Sequence, residues 1–230
     1  MRAGARGQPS GKMAARDRFA DAHALLGGKA RLVLDVGANR GAVTRHFRTQ
    51  YPEAVVHAFE PIPSLADELR QNFAQDSQVI VHGCAVGAKA ATVPFHVTRN
   101  LVSSSLYRPS QMLGRYHGEN VSIDETMEVP VRTLSDLFAG QFIDLLKLDI
   151  QGGELQAFIG AGPKLLSHVH IILTEVMFSP SYEGQDLFAD VDAYLRGSGF
   201  RLFNLYDLYS HPDGQLLQGD ALYVNGTERP

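Results

Sequence analysis

The stretch LVLDVGANRGAV, residues 32–43, sets an apolar run against a turn that holds two glycines, Gly37 and Gly41, with a carboxylate, Asp35, near the end of the run. A continuous apolar run suits the interior of a parallel sheet covered on both faces, whereas a half-solvated strand alternates. Four more such runs follow: AVVHAFE (54–60), QVIVHGCAV (78–86), FIDLLKLDI (142–150) and VHIILTEV (169–176). Helical stretches are read between them at 42–50, at 64–74 with Ser64 and Asp67 as a capping pair, and at 153–160. Strand alternating with helix marks a doubly wound α/β domain. Toward the C-terminus the order becomes helix (186–197), strand FRLFNLYDL (200–208) and strand GDALYVN (219–225). Only a short connection joins these last two strands, so they are expected to pair antiparallel. The fold predicted is a mostly parallel sheet with one reversed C-terminal strand and helices on both faces.

Working outward, an amphipathic helix is predicted at about 13–26, with Phe19, Ala22, Leu25 and Leu26 on one side. Residues 1–12 read as a disordered leader and 13–230 as a single domain. With 44% apolar and 20% charged residues and a net charge of -4, the chain lacks the composition of a disordered protein or of a basic nucleic-acid binder. The lone cysteine, Cys84, rules out an internal disulfide and a cysteine-built zinc site. No apolar stretch suggests a signal peptide or a bilayer span, so a cytoplasmic protein without membrane or nucleic-acid partners is expected. Exposed aromatics leave a homodimer open.

Residues 90–131 break the alternation. Two β-like pieces, 91–97 and 125–132, flank a polar segment too long for an ordinary connection, and the region, together with the N-terminal helix, is expected to cover the acceptor site.

In an open parallel sheet, ligands bind beyond the carboxyl ends of the strands. Glu60 closes the second strand 25 residues after Asp35, where an acid can accept both hydroxyls of an adenosine ribose. The turn has G-x-x-x-G spacing rather than G-x-G-x-x-G, and Asp35 would lie beside any bound pyrophosphate. No P-loop pattern occurs. An acid beside a bare turn suits a cofactor with a cationic amino group and a sulfonium, S-adenosylmethionine. Asp35 would meet the ammonium while the turn's N–H groups take the carboxylate. Cys84, Ala85 and Val86 offer a slot of small residues for the adenine.

DVGANRG (35–41), AFEPIPSLADEL (58–69), CAVG (84–87), SSSL (103–106), VRTLSDLF (131–138) and DLLKLDIQGGELQAFIGA (144–161), taken in order, resemble the pattern of the FkbM family of methyltransferases. The resemblance implies a class I methyltransferase (Rossmann-like) fold with a seven-stranded sheet. It also implies S-adenosylmethionine-dependent transfer, with S-adenosylhomocysteine as product, to an oxygen of a sugar, polyketide or other secondary metabolite. Carried over by position, Asp35, Gly37, Ala38, Asn39 and Gly41 match the cofactor turn, Glu60 and Pro61 the ribose segment, and Asp149 with Glu154 the late acidic motif. Gln151 falls where relatives carry Glu or Gln.

A neutral hydroxyl must lose its proton during methyl transfer, so a carboxylate or histidine within reach would help as base. Asp149, ending the strand DLLKLD, is the first choice, and it is expected to touch the cofactor as well. Its other reading is a cap for the helix opening at GGEL. Glu154 could satisfy that helix end or face the pocket. Glu175 ends IILTE on the same edge, and His117 lies in the polar cover. These converging acids raise a Mg²⁺ site as a rival use that the spacing does not require. Ser104, Ser105, Tyr107 and Arg108 offer donors and a cation for the acceptor. His57 and His82 are read as core residues. Two other functions stay open: carboxyl O-methylation of a small acid oriented by Arg108 or Arg115, and a noncatalytic adenosine-binding module.

Overall fold

The computed structural model describes residues 17–226, and their side chains except those of 115–119. The expected leader, residues 1–12, lies outside the described residues, as does the first turn of the helix expected from residue 13. Among the described residues no helix is long and apolar enough to cross a membrane.

Seven strands form one sheet: β1 (Leu32–Val36), β2 (Val55–Phe59), β3 (Val79–His82), β7 (Ile143–Leu148), β8 (Val169–Met177), β9 (Phe200–Ser210) and β10 (Leu216–Asn225), in the order β3-β2-β1-β7-β8-β10-β9. β10 runs antiparallel to both β8 and β9, and the other pairings are parallel. The reversed strand is therefore last in the chain but inserted one place in from the sheet edge. The apolar runs are continuous because both faces are covered. On one face Leu34, Leu146 and Ile172 pack with Phe138 of α5 (Leu134–Phe138), Phe158 and Leu165 of α6 (Glu154–Leu166) and Leu195 of α7 (Phe188–Gly197). On the other, Val33, Val56 and Ile171 meet Ala22 of α1 (Arg18–Leu25) and Phe47 of α2 (Ala42–Gln50).

Four local readings differ. The run 78–86 is two strands, because the chain leaves the main sheet after β3 and β4 (Ala85–Val86) pairs instead with β6 (Ile123–Arg132). Helix α3 (Pro63–Asn72) starts with Ile62 as its cap and Pro63 in its first turn, so Ser64 does not cap it, and Asp67 is paired with Arg70. Helix α6 runs past 160 to Leu166 by joining two helical pieces across Gly162, at φ 67°, ahead of Pro163. Lastly, α1 packs against β8, β10 and α2 and contributes nothing to the pocket described below, contrary to the expectation that it covers the acceptor.

Residues 90–131 fold into β5 (Ala91–Thr98), helix α4 (Gln111–His117) and β6, which make a second sheet of order β4-β6-β5. Phe95, Val97, Val129 and Val131 of this sheet pack on Ile62 and Leu65 at the start of α3. This apolar seam fixes the second sheet beside the carboxyl ends of β1 and β2, where it walls a pocket.

Candidate functional site

The pocket opens where β1, β2 and β7 end. Val36, Gly37 and Asn39 form one side, Phe59 through Ile62 the next, and Asp149 through Gln151 the floor. Cys84, Ala85 and Val86 line it as expected, and Phe95, Leu101, Val102, Ser104 and Leu106 close it from the second sheet.

The glycine turn does different work from that expected. Gly37 stands at φ 80°, and a Cβ there would sit 1.9 Å from the backbone oxygen of Asp149. Its bareness lets the exits of β1 and β7 touch, backbone to backbone. Most of the turn's donors are spent inside the protein: the N–H groups of Gly37 and Ala38 go to Phe59 O at 3.1 and 2.9 Å, that of Asn39 to Glu60, and that of Gly41 to Ala38 O. They do not form a cradle for a carboxylate. Ala38 is buried with Ala58 and Leu69, and a Cβ at Gly41 would strike Leu69 and Phe73, so both positions serve packing and lie off the pocket.

Asp35 is also displaced from its expected role. It is fully buried, its Oδ1 lies 3.0 Å from Lys147 Nζ, and its Oδ2 accepts from the Thr44 hydroxyl at 2.6 Å. Strand alternation turns it toward the α2 face, away from the cavity. Burial alone would lower the Lys147 ammonium, but Asp35 and Asp149 outweigh it and hold it above its usual value. Lys147 also donates to Gly37 O at 2.9 Å, so the buried pair props the turn from beneath.

Glu60 is buried and lines the pocket. One oxygen accepts from Asn39 N and the other from Ile62 N, each at 2.9 Å. A carboxylate has about four acceptor positions, so two remain for a bidentate partner. Burial pushes its pKa up, and the two N–H donors oppose that.

Asp149 lines the floor half-buried, with Oδ1 accepting from Gln151 Nε2 at 2.9 Å. It does not cap α6. Glu154 secures that loop instead, accepting from Ile150 N and Gly152 N at 2.9 and 3.0 Å, and it does not reach the cavity. Burial drives the Glu154 pKa up to about 7. Glu175 also misses the cavity: it is buried behind Gln151, accepting from Gln151 Nε2 at 2.7 Å and from Gln218 Nε2 at 2.9 Å. Burial and the neighbouring Asp149 raise its pKa well above the usual carboxylate range. The acids therefore share an edge without sharing a ligand point, and among the described residues no group of three or more His, Cys, Asp or Glu is placed to hold a metal ion.

Of the expected acceptor residues only Ser104 lines the pocket, its Oγ accepting from Thr98 N. Ser105 is buried and donates to Gln151 O at 2.7 Å, Tyr107 packs in a cluster with Leu113 and Tyr182, and Arg108 is exposed away from the cavity. The bond from Ser105 ties this segment to the floor loop, and the Arg108 carbonyl oxygen accepts from Glu183 N on the outer side. The His117 side chain lies outside the described residues. Gln151 and Tyr182 carry the organisation of the floor, and spacing gave no sign of this. Gln151 takes φ 60°, uncommon for a residue with a side chain, and its Oε1 accepts from the Tyr182 hydroxyl at 2.7 Å. An amide followed by two glycines at a strand exit was the available signal.

The family description "Methyltransferase FkbM domain" matches residues 35–202. The 2-O-methyltransferase NoeI of Sinorhizobium fredii is 30% identical over 164 residues, covering 67% of this chain and 66% of that protein. The 31-O-demethyl-FK506 methyltransferase FkbM of Streptomyces tacrolimicus is 29% identical over 192 residues, covering 74% and 72%. Among solved structures, the methyltransferase FkbM of Methylobacillus flagellatus superposes with a TM-score of 0.55 at 16% identity over 86% of this chain, which spans 44% of that protein's length. The magnesium protoporphyrin IX methyltransferase of Synechocystis, solved with bound SAM, superposes at 0.50 with 13% identity, covering 90% of this chain and 77% of that one. These likenesses show the fold, that of the class I methyltransferases.

Proposed function

Because the chain belongs to the FkbM methyltransferase family, we propose that it uses S-adenosylmethionine to methylate a hydroxyl oxygen of an uncharged small molecule such as a sugar or polyketide. One observation carries this reading: among the described residues, the charged groups lining the pocket are Glu60 and Asp149, and no described Lys, Arg or His side chain lines it. Such a lining suits a cationic cofactor and opposes a pyrophosphate or a carboxylate acceptor, each of which needs a partner charge. Methylation of a small acid finds less support, since Arg108, one of the two arginines expected to orient it, is exposed away from the pocket, while the Arg115 side chain lies outside the described residues. The names of the two curated relatives, both O-methyltransferases, support an oxygen acceptor.

The residues present fit the cofactor. Glu60 would accept the ribose hydroxyls with its remaining lone pairs, and Cys84, Ala85 and Val86 leave room for a flat base. When bound, the cofactor supplies an electrophilic methyl carbon on a sulfonium. Asp149, with Oδ1 held by Gln151, keeps Oδ2 to accept the proton of the acceptor hydroxyl. Phe95, Leu106 and Ile150 keep water from the floor.

Calorimetric titration with S-adenosylhomocysteine tests the reading. Wild type binds, and Glu60→Gln weakens binding by ~1.5–3 kcal/mol, the worth of hydrogen bonds to a charged group. Thermal unfolding of the same samples separates this loss from release of the Asn39 and Ile62 N–H groups. Asp149→Asn keeps binding and loses turnover in acceptor screens. A wild type that binds no S-adenosylhomocysteine sinks the enzymatic reading and leaves the fold with another use.

A further inference from the structure

We infer that Gln151 is a positioning residue, whose single amide, backed by Tyr182, holds Asp149 toward the cavity and separates it from Glu175. The inference deepens the proposed function and rests on it for the role of Asp149 as base.

Gln151 Nε2 has two hydrogens, and it spends one on Asp149 Oδ1 and the other on Glu175 Oε2. An amide can be built either way round, and only one way gives both acids a donor. The two carboxylates draw the NH₂ end because they accept, and the nearly fully buried Tyr182 hydroxyl completes the arrangement at 2.7 Å from Gln151 Oε1, with Ser103 O at 3.1 Å as the other acceptor for its single proton. The backbone supports the same placement: Gln151 is left-handed, and its carbonyl oxygen is fastened by Ser105 Oγ. A left-handed non-glycine residue persists where surroundings over-determine it, and here every polar atom of the side chain is engaged.

The consequence is electrostatic. Two carboxylates brought together raise each other's pKa, whereas a neutral donor between them favours the ionised form. Asp149 is faced by Lys147 of β7, backed by Asp35 of β1, and by Glu154 of α6, Glu175 of β8, Asp220 of β10 and Tyr182 beyond β8. Arg18 of α1 stands behind Asp220 at 2.7 Å. Among these neighbours, Gln151 is the one whose side chain bonds directly to Asp149 and Glu175 together.

Carboxyl ¹³C NMR titration of the full chain tests this without needing the acceptor. In Gln151→Met the donor is lost and Asp149 titrates at a higher pH than in wild type; in Gln151→Glu an added charge moves it further, by about one unit or more. Tyr182→Phe, which loosens the amide, gives a smaller rise. Graded order across Gln151, Gln151→Met and Gln151→Glu is the expected result, and a merely structural role does not produce it. Asp149 titrating at the wild-type pH in both Gln151 variants, or in whichever of them folds, overturns the inference. S-Adenosylhomocysteine binding measured on the same samples keeps the two claims apart. Binding with an unmoved Asp149 defeats the positioning role alone, and graded shifts without binding uphold the positioning and defeat the methyl-transfer reading.

Discussion

Lys147 Nζ lies 3.0 Å from Asp35 Oδ1 with both side chains buried, and the same ammonium donates to the backbone oxygen of Gly37. The pair therefore joins two adjacent strands to the turn above them. Removing one partner leaves a charge in a site that cannot solvate it, at a cost of about 3–5 kcal/mol. Lys147→Met is expected to lose that much stability in urea titrations, and the double change with Asp35→Asn to recover part of it. A double variant no better than the single one contradicts the account.

Gly37 and Gly41 share the same φ of 80° but have different neighbours. An alanine at 37 drives its Cβ into the Asp149 backbone, whereas one at 41 meets the ends of the Leu69 and Phe73 side chains, which can give way. Gly41→Ala is expected to cost ~1–3 kcal/mol, the strain of a left-handed residue. Gly37→Ala adds a clash that only separation of β1 from β7 relieves, and it should unfold the chain or cost well beyond its counterpart. Equal costs in denaturant would remove the backbone-contact explanation.

The fold was legible because burial on both faces writes itself into Leu32–Val36 and its counterparts as unbroken apolar runs. Glu60 and the small slot at 84–86 were legible for a related reason: the sheet topology alone puts strand ends at one edge. What the turn does was not legible. Its glycines look identical whether they face a ligand or a neighbouring backbone, and the donors of Gly37 and Ala38 are claimed by Phe59 O, more than twenty residues away. Gln151 and Tyr182 are 31 residues apart and meet only because the segment after β8 folds back over the floor. Asp35 was misassigned by one step of strand alternation, since position at a strand end says little about which face a side chain takes.

Glu175 gives a pH-dependent prediction. Its folded pKa is raised well above 4.5, so between those values the native state holds a proton that the unfolded state has released. Its contribution to stability is present at low pH and lost as pH rises through that window. Wild-type stability minus that of Glu175→Gln should therefore fall as pH is raised above about 4.5. Urea midpoints for both proteins across the range measure this difference, and a flat difference refutes it.

The opposite sign is expected at the histidine pair of β2 and β3. His57 Nδ1 and His82 Nε2 are 2.8 Å apart, a distance that accommodates one shared proton, and Phe138 and Phe59 pack against the two rings. Burial, with His82 adding, lowers the His57 pKa to about 4, while the unfolded chain keeps the ordinary value near 6.5. Between these values the unfolded state binds the extra proton, so the contribution of His57 is full above 6.5 and is lost as pH falls toward 4. His57→Phe retains an aromatic ring beside Phe138 and has nothing to protonate. It should lose less stability than wild type between pH 7.5 and 5 in matched denaturant titrations. A variant as acid-sensitive as wild type across this interval would place the titration elsewhere.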